Sequence, residues 1–523
     1  MRSPSASCRR ARTSAPASAS SASSTANSSE RAAADGARAG AALCVAALIL
    51  AGVSGARLLD GPWEDGFRGI NGGGYYGAFA LRHLEFGFAA TGGANVQHVL
   101  RASDPPHFNL NFHHPPAYAW SLAAAGAVFG AEERVFRATA LAWFVFALFA
   151  LRRCVADAAG PLAGGAAALF WAATRAGAEY GPAVSAETAT VAAGATALVL
   201  LERGVALRSR ARVAASAAVF AVACALDWPG YWFGPAAFAR LAPRLRDPAA
   251  RRALGAWVAA ALASAALFVL HAKAVGGGFE LRDLLGTAAS TQRSRIGAAP
   301  WSAVVFGHLR ALVGDPALIA AGVGLATATH LALRGDAFFR RALPTALALL
   351  LPGLLHVLAF RGHAALHDFW FTPGMGGVAA CAALLAPAVV RLRLRPAADG
   401  RPAGGRRALA VAAAALVVAL VAAPARLREL DRLKTSKHRD GAAALAPFFA
   451  PEDVILTDAD WTVAAYYLKP LLITHVRSAA DFDGVVADLV ARGARPERFT
   501  FIAAEPALDP TLRARLEGWG DAV

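Results

Sequence analysis

Charge is scarce in this chain: Asp, Glu, Lys and Arg together make up 17% of its 523 residues, against roughly a quarter in soluble domains. That shortage, beside 56% apolar residues and a mean hydropathy of +0.43, excludes an ordinary soluble globule. Cysteine is equally sparse. Cys8, Cys44, Cys154, Cys224 and Cys381 stand singly, with no CxxC and no metal-ligand spacing, so neither a disulfide framework nor a zinc site is encoded. There is no clear internal repeat. What is present is a series of apolar runs of roughly 17–20 residues, the length that crosses a bilayer core. Lys+Arg 52 against Asp+Glu 36 leaves a formal +16. Most of these cations sit in short loops between apolar runs, where a cytoplasmic bias accounts for them and no nucleic acid need be invoked.

Residues 1–40, rich in Ser, Ala and Arg, lack large apolar side chains and read as a disordered cytoplasmic tail. The run from Ala41 to about Leu58 has the small residues Val53-Ser54-Gly55-Ala56 of a signal cleavage site, but its 40-residue preceding region is long for a signal peptide and favours a signal-anchor. Further spans are expected near 135–151, 160–178, 185–201, 212–227, 229–242, 253–272, 315–333, 342–359, 371–391 and 407–424, eleven in all. From an inside N-terminus, each inside loop is basic: Arg152-Arg153, Arg203 to Arg212, Arg244 to Arg252, Arg334 to Arg341, and Arg391 to Arg407. This threading puts outside a loop from 59 to 117, another from 273 to about 312, and the C-terminal residues 425–523. Membrane domain 41–424 is thus followed by a smaller unit. There, strand-like runs at 453–458, 471–476 and 499–504 alternate with a helical pattern at 478–492, which implies a small α/β domain without GxGxxG or P-loop.

Ionisable residues gather at the outer edge. The first outer loop carries Glu64-Asp65-Gly66, then Asn71-Gly-Gly-Gly-Tyr75-Tyr76, and ends in His113-His114-Pro115-Pro116. Glu187 opens a later span, Asp227-Trp-Pro-Gly-Tyr joins two more, and Arg361-Gly-His363 with His367-Asp368-Phe-Trp precedes another. Each has an ordinary explanation as helix-start carboxylate, tight turn or interface anchor. Their convergence on one face makes them candidates for a functional site, because ionisable groups near hydrocarbon are costly.

The order of acidic dipeptide, His-Pro-Pro leading to Phe129-Gly130, and a carboxylate opening a later span resembles the GT-C glycosyltransferases. The resemblance is to the family 39 protein mannosyltransferase and aminoarabinose transferase-like enzymes of bacteria, over about 41–424. Family members often carry Asp-Glu where this chain has Glu64-Asp65, so the base is open between the two. The resemblance implies a multi-pass protein of the bacterial inner membrane with a periplasmic site. Its reaction would be inverting transfer of a sugar from a polyprenyl-phosphate donor to a lipid, glycan or protein acceptor. Such a transfer needs a carboxylate to deprotonate the acceptor and cations to hold the departing phosphate. Asp65 is chosen as base because Gly66 leaves its backbone approachable, with Glu64 second. His113, His114, Glu187, Asp227, His367 and Asp368 are assigned to substrate, and Arg293, Arg295 and Arg361 to phosphate. No cofactor is implied. A divalent metal is the one open option, since His113, His114, Glu187 and Asp65 can converge. The rivals are a secondary transporter, whose polar residues would lie at the bilayer midplane, and a non-catalytic envelope assembly protein.

Overall fold

Apolar periodicity and small residues fold the first span as α1 (Ala19–Leu59), which lies along the broken helix α4 (Glu133–Ala173). The computed structural model describes residues 19–59, 63, 69, 72, 75–100, 107–276, 300–392, 440, 442–444, 446–448, 454–457, 472–476, 478–491, 499–502 and 509–517. Helix α1 begins at Ala19, so residues 19–40, read from the sequence as part of a disordered tail, are helical, while the stretch long and apolar enough to cross a membrane is Ala33–Leu59. In α4, Gly160 takes φ +81° and Pro161 has no N–H to donate, so the helix divides into two rods at this dipeptide. Against the break, α1 comes close: a side chain on Gly40 would overlap the Pro161 carbonyl, and one on Gly165 would overlap the backbone of Gly40.

Between these helices come α2 (Gly77–Ala90), the strands β1 (Asn95–Leu100) and β2 (His107–Asn111), and α3 (Ala117–Phe129). β1 and β2 pair antiparallel, with a bulge between Val96 and His98. Beyond α4 follow α5 (Ala186–Ala206), α6 (Arg210–Leu226), α7 (Phe233–Leu241) and α8 (Pro248–Gly276). The bundle is completed by α9 (Trp301–Val313), α10 (Asp315–Leu333), α11 (Ala337–Ala359), α12 (Arg361–Leu366), α13 (Met375–Ala383) and α14 (Leu385–Leu392).

Seven helices among the described residues are long and apolar enough to cross a membrane, against eleven spans expected. The difference has local causes. The spans at 135–151 and 160–178 are the two rods of α4, which fold back on each other with Phe144 edge-on to Trp171 at 5.5 Å and count once among the seven, and α6, with 17 residues, is at the lower limit of a crossing. The span expected at 229–242 is a short 3-10 turn followed by the 9 residues of α7, about 14 Å of helix. The span at 407–424 lies outside the described residues. The chain is a polytopic α-helical membrane protein.

In the C-terminal part, β3 (Val454–Thr457) is the centre of a parallel sheet ordered β4-β3-β5, with β4 (Leu472–His475) and β5 (Phe499–Ile502) on either side. Helices α15 (Ala479–Ala491) and α16 (Pro510–Glu517) accompany it, burying Phe482 and Leu512, and β4 touches β1.

Candidate functional site

A compact apolar core of Trp63, Tyr76, Phe79, Tyr118, Phe136 and Leu226 underlies the outer-edge residues. Above it, the backbone at His113-His114 is pinned from three sides. Asn111 Oδ1 accepts from the His113 N–H at 2.9 Å, Asn95 Nδ2 donates to the His114 carbonyl at 3.0 Å, and the Trp228 indole donates to the His113 carbonyl at 2.5 Å. The His113 ring is left exposed, while the His114 Nδ1 lies 3.0 Å from Asp227 Oδ1.

Asp227 ends α6 and is the most engaged carboxylate of the site. Its Oδ1 also accepts from the Trp228 N–H at 2.8 Å, and its Oδ2 from the Tyr76 hydroxyl at 3.4 Å. The turn that holds it requires Gly230, where any side chain would overlap the Ala223 carbonyl. Burial alone would raise the Asp227 pKa. The His114 charge and hydrogen bond, the Trp228 N–H and His356 reverse this and hold it below the ordinary 3.8. Burial likewise opposes protonation of His114, but Asp227 and, behind it, Glu187 lift it above the ordinary 6.5. Tyr76, buried beside both carboxylates, is pushed well above 10.0 and remains a donor.

Glu187 stands in the first turn of α5, buried, where the helix N-terminus favours a carboxylate. Its Oε2 has no hydrogen-bond partner among the described residues. A buried acceptor left open is costly unless a ligand supplies the donor. His356 accepts from the Trp232 indole at 3.2 Å and stacks on Trp370 at 4.3 Å between ring centroids. His363 stacks on the same indole at 4.9 Å. Burial, then the charges of His114 and His113, lower the His363 pKa.

A second polar knot adjoins the first. Arg175 Nε donates to Glu179 Oε1 at 2.8 Å, its Nη1 lies 3.8 Å from Asp368 Oδ2, and the Tyr180 hydroxyl donates to Asp368 Oδ1 at 2.7 Å. Burial disfavours the Arg175 charge, but Glu179, Tyr180 and Asp368 outweigh it and raise its pKa further above the ordinary arginine value, so it is a standing cation. Glu179 also lines a small gap with Trp63 and Arg137. The Arg137 guanidinium lies 4.7 Å over the Trp63 ring and donates to the Leu58 carbonyl.

Of the residues proposed from the sequence, the fold brings together His114, Glu187 and Asp227. Asp368 belongs instead to the Arg175 knot, and His367 lies 5.6 Å, ring to ring, from His363. Arg361 is exposed, its guanidinium 4.7 Å over the Trp301 ring. Glu64, Asp65, Arg293 and Arg295 lie outside the described residues. Among the described residues, no three His, Cys, Asp or Glu side chains are arranged to hold a metal ion.

Sequence reasoning missed Arg175, Glu179 and His356. The span expected at 160–178 hid the first, because the helix actually stops at Thr174, which is extended at ψ 164°, and a π-turn over Ala176–Tyr180 follows. His356 is an ionisable residue within an apolar run, and that alone was a signal.

No protein-family model and no curated protein sequence matches the chain. Solved structures do. ArnT from Cupriavidus metallidurans bound to undecaprenyl phosphate aligns with a TM-score of 0.62 at 15% identity, over 87% of this chain and 89% of ArnT. The Archaeoglobus fulgidus oligosaccharyltransferase in its apo form gives a TM-score of 0.55 at 14% identity, over 82% of this chain and 64% of that one. AglB from the same organism, in complex with an inhibitory peptide and a dolichol-phosphate, gives 0.52 at 12% identity over the same shares. At such identities the likeness carries the backbone and not the residue roles, and the chain has the GT-C fold.

Proposed function

We propose that this protein transfers a sugar from a polyprenyl-phosphate donor to an acceptor hydroxyl or amine at the periplasmic face of the bacterial inner membrane, with inversion. The observation that carries this reading is the His114–Asp227 pair with the open Glu187 oxygen beside it, at one edge of a GT-C bundle. Two neighbours of that fold are named with undecaprenyl phosphate and dolichol-phosphate, which supports a lipid-phosphate donor.

In the proposed step, the acceptor oxygen or nitrogen attacks the anomeric carbon. The bond from that carbon to the phosphate oxygen breaks, the lipid phosphate leaves with the electron pair, and a carboxylate takes the acceptor proton. Asp65 is the proposed base, with Glu64 as the alternative. Asp227 acts through His114 as a positioning residue, since its oxygens are already engaged. His114 and His113 orient the donor, and the Glu187 Oε2 receives a sugar hydroxyl. The departing phosphate needs cations. Arg175 adds one to the earlier candidates Arg361 and Arg295, and Asp368 and His367 shape the wall behind it.

Purified full-length protein incubated with a polyprenyl-phosphate sugar and membrane acceptors should release free polyprenyl phosphate. Mass analysis of a deletion strain should show an envelope glycan lacking one sugar while the lipid-linked sugar accumulates. An unchanged profile of both would overturn the proposal.

Orientation has its own test. A reporter fused after Arg406 is expected to read cytoplasmic, and one after Val523 periplasmic. A cytoplasmic signal from the second would place the candidate loops on different faces.

A further inference from the structure

At the far end of the bundle lies a cavity of about 310 Å³ that the transfer reaction does not use. Glu187 and Glu202 stand fifteen residues apart on α5, a separation of about 22 Å along a helix, and Glu202 lines this second cavity. Four helices meet there: α4 through Asp157, α5 through Glu202 and Arg203, α7 through Arg240, and α11 through Arg341 and Thr345. Its volume falls within the range of small-ligand sites.

The charges of the cavity do not balance. Arg203 is paired with Asp157 at 3.0 Å, and Glu202 is shared between Arg240 at 2.9 Å and Arg244 at 3.1 Å. Four guanidinium groups thus face two carboxylates, one of which, Asp157, is also held by Arg153 at 2.9 Å, and Arg341, exposed at the rim, has no ion-pair or hydrogen-bond partner among the described residues. A second observation points the same way. The Thr345 hydroxyl, on a residue 5% exposed, has no hydrogen-bond partner, although a helical threonine ordinarily bonds back to its own preceding turn. Arg341 and Thr345 are four apart on α11 and share a face, so an unmatched cation and a buried unmatched hydroxyl stand together. The wall between them and α5 is apolar, made by Leu198, Val199 and Ala348.

From this juxtaposition we infer that the cavity binds the phosphate of an anionic phospholipid, with Arg341 and Thr345 as its direct contacts and Arg240 and Arg244 as supporting cations. The acyl chains follow the apolar wall into the bilayer. Under the orientation proposed above this end meets the cytoplasmic leaflet, whose surface is rich in anionic lipid. A lipid seated there bridges α5, α7 and α11, and Arg244 and Arg341 extend the basic surface beyond it.

The test uses full-length protein in neutral detergent, titrated with phosphatidylglycerol, phosphatidylcholine or glycerol 1-phosphate. Bound lipid is counted by native mass spectrometry, and the thermal unfolding midpoint is followed in parallel. One phosphatidylglycerol is expected to be retained and to raise the midpoint, with phosphatidylcholine bound more weakly. Arg341→Ala should weaken retention about tenfold, the loss of one charge-assisted contact. Arg341→Lys should keep most of it, and Thr345→Val should weaken it severalfold. Arg334→Ala, a cation outside the cavity, should bind as wild type. Equal retention by Arg341→Ala and wild type would overturn the site. Glycerol 1-phosphate raising the midpoint as potently as phosphatidylglycerol would overturn the lipid in favour of a soluble phosphate ester. None of these readouts depends on sugar transfer.

Discussion

His114→Ala should lower unfolding stability at pH 7 by about 3 kcal/mol, and Asp227→Asn by only about 1 kcal/mol, although the two remove opposite halves of one ion pair. The asymmetry follows from what each variant leaves behind. Without Asp227, the burial that opposes protonation of His114 is no longer offset by its nearest carboxylate, so the ring sheds its proton at almost no cost at pH 7. Without His114, a carboxylate 3% exposed must stay charged beside Glu187 or take up a proton, because burial opposes its charge and the imidazolium no longer offsets it; removing one partner of a buried pair costs about 3–5 kcal/mol. The double variant should recover most of the His114→Ala loss. Equal losses in the two single variants would mean that the pair is screened by water. The pH dependence has a definite sign. The raised His114 value contributes stability that is complete below pH 6.5 and lost as pH rises through the folded value. The lowered Asp227 value contributes stability that is present above pH 3.8 and lost as pH falls through its folded value. Wild-type stability, read as the thermal unfolding midpoint, should therefore be greatest between these limits, and that maximum should flatten in the double variant.

Asp65→Asn is expected to reduce sugar transfer by at least about 10²–10⁴-fold, the usual worth of a general base, while donor binding survives. The amide keeps the shape of the carboxyl and removes its basicity. Two residues upstream, Trp63 is 1% exposed, with the Arg137 guanidinium over its ring. Glu64→Gln should be milder, because neighbouring side chains project in different directions. Near wild-type transfer by Asp65→Asn with a dead Glu64→Gln moves the base by one residue. Full activity in both would end the proposed mechanism. Single-turnover transfer with a saturating donor separates this loss from one of affinity.

The sequence showed most of the fold, because apolar run length and loop charge are local properties. The helix breaks were harder. Gly160-Pro161 is visible as a dipeptide, but that the second rod folds back on the first, with Trp171 edge-on to Phe144, and that α1 packs against the break are long-range properties. Within the candidate site, the residues offered by composition were those beside Pro, Gly and Trp: His114, Asp227 and Asp368. Their pairings are not local. Nothing near His114 in sequence points to Asp227, and Arg175, which meets Asp368, lay within a stretch that read as membrane span. Glu187 was legible as the carboxylate opening a helix, but its open oxygen appears only once Tyr76, Tyr118 and Asp227 surround it.

The long sequence distances across the site also order its birth. His114 and Asp227 are 113 residues apart, and Tyr180 and Asp368 are 188 apart. At the roughly 5–20 residues per second of synthesis, His114 waits about 6–20 s for its counter-charge, with Tyr76 and Asn95 already at hand. The second knot closes later still, when the membrane bundle is almost complete. A nascent chain therefore inserts most of its helices before its polar edge is neutralised, and a ribosome stalled ahead of Asp227 would leave His114 at the membrane without its counter-ion.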